Sequence, residues 1–125
     1  LSTLSDEAAL ELVAAQGFGN ADEYGPNAPS TITALLEALK QTRARGFSTT
    51  VETFSPGMNA MAAPVCRAGH TTMGTISIAG PSIRFTPDRM EALGSTLIEV
   101  ANELAASTSA SSLLRLGRPT TASQL

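Results

Sequence analysis

The sequence has no tryptophan, one tyrosine, one cysteine and one histidine in 125 residues. A single cysteine excludes an intramolecular disulfide and any metal site built from several thiolates. A single histidine excludes a His-rich zinc or iron centre supplied by this chain alone. Positive charge is scarce: 8 Lys+Arg stand against 11 Asp+Glu, for a formal charge of −3. A chain that holds nucleic acid by phosphate neutralisation alone is thereby excluded, because that grip needs clustered cations. No apolar run approaches the roughly 20 residues that a membrane-crossing helix needs. Glycine spacing offers no nucleotide loop either. Gly17-Phe18-Gly19 runs into an acidic loop, without the strand–turn–helix context of a dinucleotide site. What is present is a composition of 42% hydrophobic and 15% charged residues, apolar enough to build a core. At 12.8 kDa the chain has the size of one domain.

Three helices are legible. Ser5 caps one over about Asp6 to Gln16, with Asp6 and Glu7 in the first turn and Gly17 as its stop. Ser30 or Thr31 caps a second, over Ile32 to Arg45, whose apolar stripe is Ile32, Leu35, Leu36 and Leu39, with Gly46 ending it. The third opens on Thr86 and Pro87. It carries Met90, Leu93, Leu97, Val100, Ala101 and Leu104 at helical spacing. Between the second and third the period falls to two. Strands are expected over Phe47–Thr53, Asn59–Cys66 and Met73–Gly80, with a turn at Arg67–His70 joining the last two. Pro64 predicts that the second strand is at an edge or interrupted. Phe18 to Pro29 is a loop. The last strand should set Ile76 and Ile78 against a helix, leaving Thr75, Ser77 and Ala79 as a small, mildly polar face. Such a face lines a cavity or meets solvent.

The reactive side chains argue for little on their own. Cys66 and His70 are four apart across a turn, with no third group to orient the imidazole, so a nucleophile–base pair is the weaker reading. Asp88, Glu91, Glu99 and Glu103 read as a solvated helix face, and Arg43 and Arg45 as cations suited to a helix C-terminus. The least ordinary stretch is Glu52 to Pro64, a turn through Ser55-Pro56-Gly57 into a strand of small residues.

Four motifs in fixed order carry a resemblance: Arg43-Ala44-Arg45-Gly46-Phe47; Glu52 with Gly57-Met58-Asn59-Ala60-Met61-Ala62-Ala63-Pro64-Val65; Thr75-Ile76-Ser77-Ile78-Ala79-Gly80-Pro81; and Arg84-Phe85-Thr86-Pro87-Asp88-Arg89. Together they resemble the effector-binding domain of the IclR-type transcription regulators, over roughly residues 1–106. The resemblance implies an α/β (α+β) fold, a GAF-like or profilin-like antiparallel sheet flanked by helices. It sets Leu1 after the family's first strands, so part of the family pocket is expected outside this chain. Residues 107–125, rich in Ser and Thr and holding Leu113, Leu114 and Leu116, are expected to be a flexible tail. The implied function is sensing, not catalysis. The implied partners are a small organic or aromatic acid, further copies of the chain as homodimer or homotetramer, and operator DNA through a winged helix-turn-helix domain that this chain does not contain. No cofactor, metal or membrane is implied, and such regulators work in the cytoplasm.

Carried over residue by residue, the family pocket falls on Thr50, Gly57, Met58, Ala60, Ser77 and Ala79. Ser77 keeps a family hydroxyl. Ala79 replaces a second serine, Thr50 an acidic residue and Ala60 a cysteine. Fewer buried polar groups imply a less polar ligand than glyoxylate or pyruvate. Two other classes remain as alternatives: a small α/β enzyme using Cys66 and His70, and a purely structural oligomerisation domain.

Overall fold

The structure, a computed structural model, describes residues 1–20 and 22–108. Its elements follow in the order α1 (Asp6–Gln16), α2 (Ile32–Arg45), β1 (Ser48–Val51), β2 (Met58–Val65), β3 (Gly74–Pro81) and α3 (Pro87–Ser107). Each helix starts where the sequence offers a cap. The Ser5, Thr31 and Thr86 hydroxyls accept from the backbone N–H of Ala8, Ala34 and Arg89, satisfying donors that the first helical turn leaves free. Gly46, at φ 85°, turns the chain out of α2 in the left-handed conformation. The tail expected over 107–125 lies, from 109 onward, outside the described residues, as do Leu113, Leu114 and Leu116. Ser107 ends α3, and Thr108 is its buried C-cap.

The three strands form one antiparallel sheet in the order β1-β2-β3. This corrects the expectation drawn from Pro64, because β2 is the central strand and runs unbroken. The register gives the reason. Ser48 at the start of β1 pairs with Ala62, while β3 continues alongside β2 as far as Val65. The Met58 carbonyl accepts from Glu52 on the β1 side, and the Val65 carbonyl accepts from Met73 on the β3 side. Backbone groups alternate along a strand, so the missing N–H of Pro64 faces the β1 side, beyond the point where β1 has ended. Proline is tolerated there because β2 is locally an edge.

The core lies between the sheet and α3. Phe47, Met61, Ala63, Val65, Phe85, Met90, Leu97, Ala101 and Ala105 form one buried cluster. Gly94 is what lets the helix approach: a Cβ there would collide with the Phe47 ring. Of the two isoleucines of β3, Ile76 packs on this core, whereas Ile78 keeps 39% of its surface exposed. α3 lies mainly over β2, and β3 extends past its shelter. The other face of the sheet carries α2 at its Pro64 end. α1 is bound to α2 through Arg43, whose guanidinium pairs with Asp6 and donates to the Ser2 and Leu4 carbonyls. Arg45 pairs with Glu91 of α3 at 3.2 Å and lies over the Phe47 ring. Both arginines thus join elements, a role beyond the helix-end electrostatics read from the sequence. Among the described residues no helix is long and apolar enough to cross a membrane.

Candidate functional site

Alternation along β2 divides the sheet into two unlike faces. Asn59, Met61, Ala63 and Val65 are buried towards α3. Met58, Ala60, Ala62 and Pro64 point the other way. Residues paired across an antiparallel sheet share a face, so two rows cross this second face: Thr50–Ala60–Ala79 and Ser48–Ala62–Ser77. Met58 pairs with Pro81 one row further on. Five of the six residues taken from the family pocket therefore stand on one face: Thr50, Met58, Ala60, Ser77 and Ala79. The sixth, Gly57, precedes β2 in the turn at φ 75°. Thr50 and Ala60 are half-buried, while Gly57, Met58, Ser77 and Ala79 are exposed.

The hydroxyls on this face differ in what they can still do. Thr50 Oγ1 donates to the Ala60 carbonyl at 3.3 Å, and Ser48 Oγ donates to the Ala62 carbonyl at 3.4 Å. Each has used its one proton and keeps only lone pairs for anything else. Ser77 Oγ makes no hydrogen bond among the described residues and stays free to donate. Thr50 and Ser77 do not lie side by side. They are two strands and one row apart, about 12 Å from a strand spacing of about 4.8 Å and a rise of about 3.4 Å per residue. Between them is a floor of methyl groups, Ala60, Ala62 and Ala79. A cavity of about 290 Å³ adjoins this floor at the Pro64 end, where Leu39 and Thr42 of α2 and the Leu1–Thr3 segment face Ser48, Ala62 and Thr75.

One end of the face is held by groups that the sequence did not single out as a unit. Asn59 is 1% exposed; its Nδ2 donates to the Phe85 carbonyl at 2.8 Å and its Oδ1 accepts from Glu52 N–H at 3.2 Å. Asn27 Nδ2 donates to the Val51 carbonyl at 2.7 Å, and Gly25 N–H donates to the Thr53 carbonyl. The sole signal for the first was a polar residue inside a small apolar strand. The Gly25-Pro26-Asn27 run read only as a loop.

Cys66 and His70 are not brought together as a reactive pair. The one proton of the Cys66 thiol lies between the His70 carbonyl at 3.1 Å and the Arg67 carbonyl at 3.4 Å, so backbone oxygens and not the imidazole are its partners.

Comparisons with known proteins bear on the fold and the family. The chain is 39% identical over 71 residues to the HTH-type transcriptional regulator BhcR of Paracoccus denitrificans, a match covering 57% of this chain and 25% of that protein. It is 37% identical over 70 residues to the transcriptional repressor IclR of Escherichia coli, covering 56% and 26%. The chain thus spans about a quarter of the length of these curated relatives. Among solved structures, the repressor BlcR of Agrobacterium tumefaciens superposes with a TM-score of 0.74 at 24% identity, over 85% of this chain and 41% of that one. The inducer-binding domain of the Acinetobacter transcription factor PobR, a double mutant solved with 3-hydroxybenzoic acid, gives 0.72 at 24%, over 83% and 60%. At that identity the likeness concerns the fold. The family described as bacterial transcriptional regulator IclR, C-terminal, matches residues 8–106, and the chain belongs to it.

Proposed function

We propose that this domain senses a hydroxylated aromatic acid lying along the small-residue face of the sheet, and passes its occupancy to an operator-binding domain of the same regulator. The observation that carries the reading is the unequal state of the two hydroxyls. Ser77 can donate, which suits a carboxylate. Thr50 can only accept, which suits a phenolic O–H. Their backbone spacing of about 12 Å on the sheet is too wide for both to hold glyoxylate. It matches a benzene ring with polar groups at both ends and a hydrogen bond at each. The methyl floor of Ala60, Ala62 and Ala79 suits a ring laid flat over it. Replacement of a family serine by Ala79 removes a second donor that such a ring would otherwise strand.

Regulation follows from unequal affinity. The acid shifts operator occupancy only so far as it prefers one arrangement of the homodimer or homotetramer over the other. A coupling of about 1–3 kcal/mol is ample for a switch. The acid, the operator and the regulator would meet in the cytoplasm.

Isothermal titration with hydroxybenzoic acids, benzoic acid and glyoxylate tests the reading. Hydroxybenzoates are expected to bind most tightly. Ser77→Ala should weaken them by about tenfold, the worth of one hydrogen bond to a charged group, while leaving the thermal midpoint unchanged. Glyoxylate binding more tightly than every aromatic acid would overturn it.

A further inference from the structure

Glu52 stands apart in the backbone. It is the single non-glycine residue with positive φ, at 51°, among the described residues. L-residues other than Asn and Asp rarely adopt that conformation, and it persists only where the surroundings enforce it. Here they do so from three sides. The Glu52 N–H is shared between the Met58 carbonyl at 3.1 Å and Asn59 Oδ1 at 3.2 Å. Its carboxylate accepts from the Gly57 N–H at 2.8 Å. Its carbonyl accepts from Asn27 N–H, and Gly25 sits so close that a Cβ there would collide with that carbonyl oxygen. Through Asn59 the same node reaches Phe85, just before α3.

We infer that Glu52 is a positioning residue of the effector site, an inference that rests on the reading of the face given above. It touches no ligand itself. Thr50 lies two residues before it, and its carboxylate and N–H fix Gly57 and Met58 at the end of the methyl floor. Release of the carboxylate removes the side-chain tie across the 53–57 turn and leaves it to its backbone bonds alone, from Gly25 to Thr53, Met58 to Ser55 and Ser82 to Gly57. Met58, 40% exposed, then has a looser turn before it at that end of the floor. Glu52 also joins the face to the Gly25–Asn27 strap and, through Asn59 and Phe85, to the start of α3.

Three variants of the full chain separate this role from plain structural support. Glu52→Gly permits the positive φ and deletes the carboxylate. Glu52→Gln keeps an acceptor oxygen at the same reach. Ser77→Ala is the control for the face itself. With 3-hydroxybenzoic acid as probe, Glu52→Gly should bind about tenfold more weakly and lose hydrogen-exchange protection at the Gly57 amide. Its thermal midpoint should stay level or rise, because glycine relieves the backbone strain. Glu52→Gln should bind like the wild type. Unchanged affinity in Glu52→Gly, beside a weakened Ser77→Ala, would sink the role of Glu52 and leave the effector face standing. A loss of affinity matched by a fall in thermal midpoint, or one that Gln fails to rescue, would also overturn it. A wild-type chain that binds no acid in the panel would overturn both readings together.

Discussion

The two faces of one strand make the instructive comparison. β2 buries Asn59, Met61, Ala63 and Val65 and leaves Met58, Ala60, Ala62 and Pro64 half-covered or exposed. The buried side mixes sizes: methionine, alanine and valine interlock with Met90, Leu97 and Ala101 of α3. The other side has two alanines, Ala60 and Ala62, at its centre. A face that must pack against a helix needs volume to fill the space between layers. A face that must admit a molecule needs the opposite. Small side chains on a paired, rigid backbone leave room without leaving the sheet weak. On the proposed reading, stability and recognition are separated by a single step along the chain.

That contrast can be broken from either side. The largest effect is expected for Met61→Ala, which empties the centre of the core; chemical denaturation should show a loss of about 2–5 kcal/mol. Gly94→Ala follows, with a loss of about 1–3 kcal/mol from overpacking against Phe47, although alanine ordinarily favours helices. A stabilised Gly94→Ala would mean that α3 stands further from the sheet than described. On the opposite face, Ala60→Leu should change stability by no more than about 0.5 kcal/mol yet abolish acid binding in a titration, because the larger side chain fills the floor. Hydroxybenzoate binding that survives Ala60→Leu would move the ligand elsewhere. Pro64→Val tests the edge of the sheet and not its floor. Its new N–H points past the end of β1, so the thermal midpoint should shift by less than the equivalent of about 1 kcal/mol.

Local chemistry was legible throughout. All three caps, the two glycine stops and the position of each strand to within one or two residues follow from side chains acting on their own backbone. The Pro64 expectation held only locally, and the reason is informative. A missing N–H matters only on the side where a neighbour is present, and where β1 stops is a property of two strands. Ile78 failed similarly: alternation gave its face correctly, but the reach of α3 decided its burial. The candidate site was legible through family resemblance alone, residue by residue. That Thr50, Met58, Ala60, Ser77 and Ala79 share a face follows from period-two alternation once the register is known.

The sequence by itself determined the helices, the strands, the scarcity of charge and metal ligands, and the membership of the family, since each depends on residue type and short-range order. Tertiary structure alone decided which hydroxyls still have a proton to give, because Thr50 and Ser48 spend theirs on carbonyls ten and fourteen residues away. It alone decided that Glu52 is held in a left-handed conformation by Gly57, Met58, Asn59 and a strap from residues 25–27. Those are properties of segments distant in sequence and adjacent in space, and no single segment contains them.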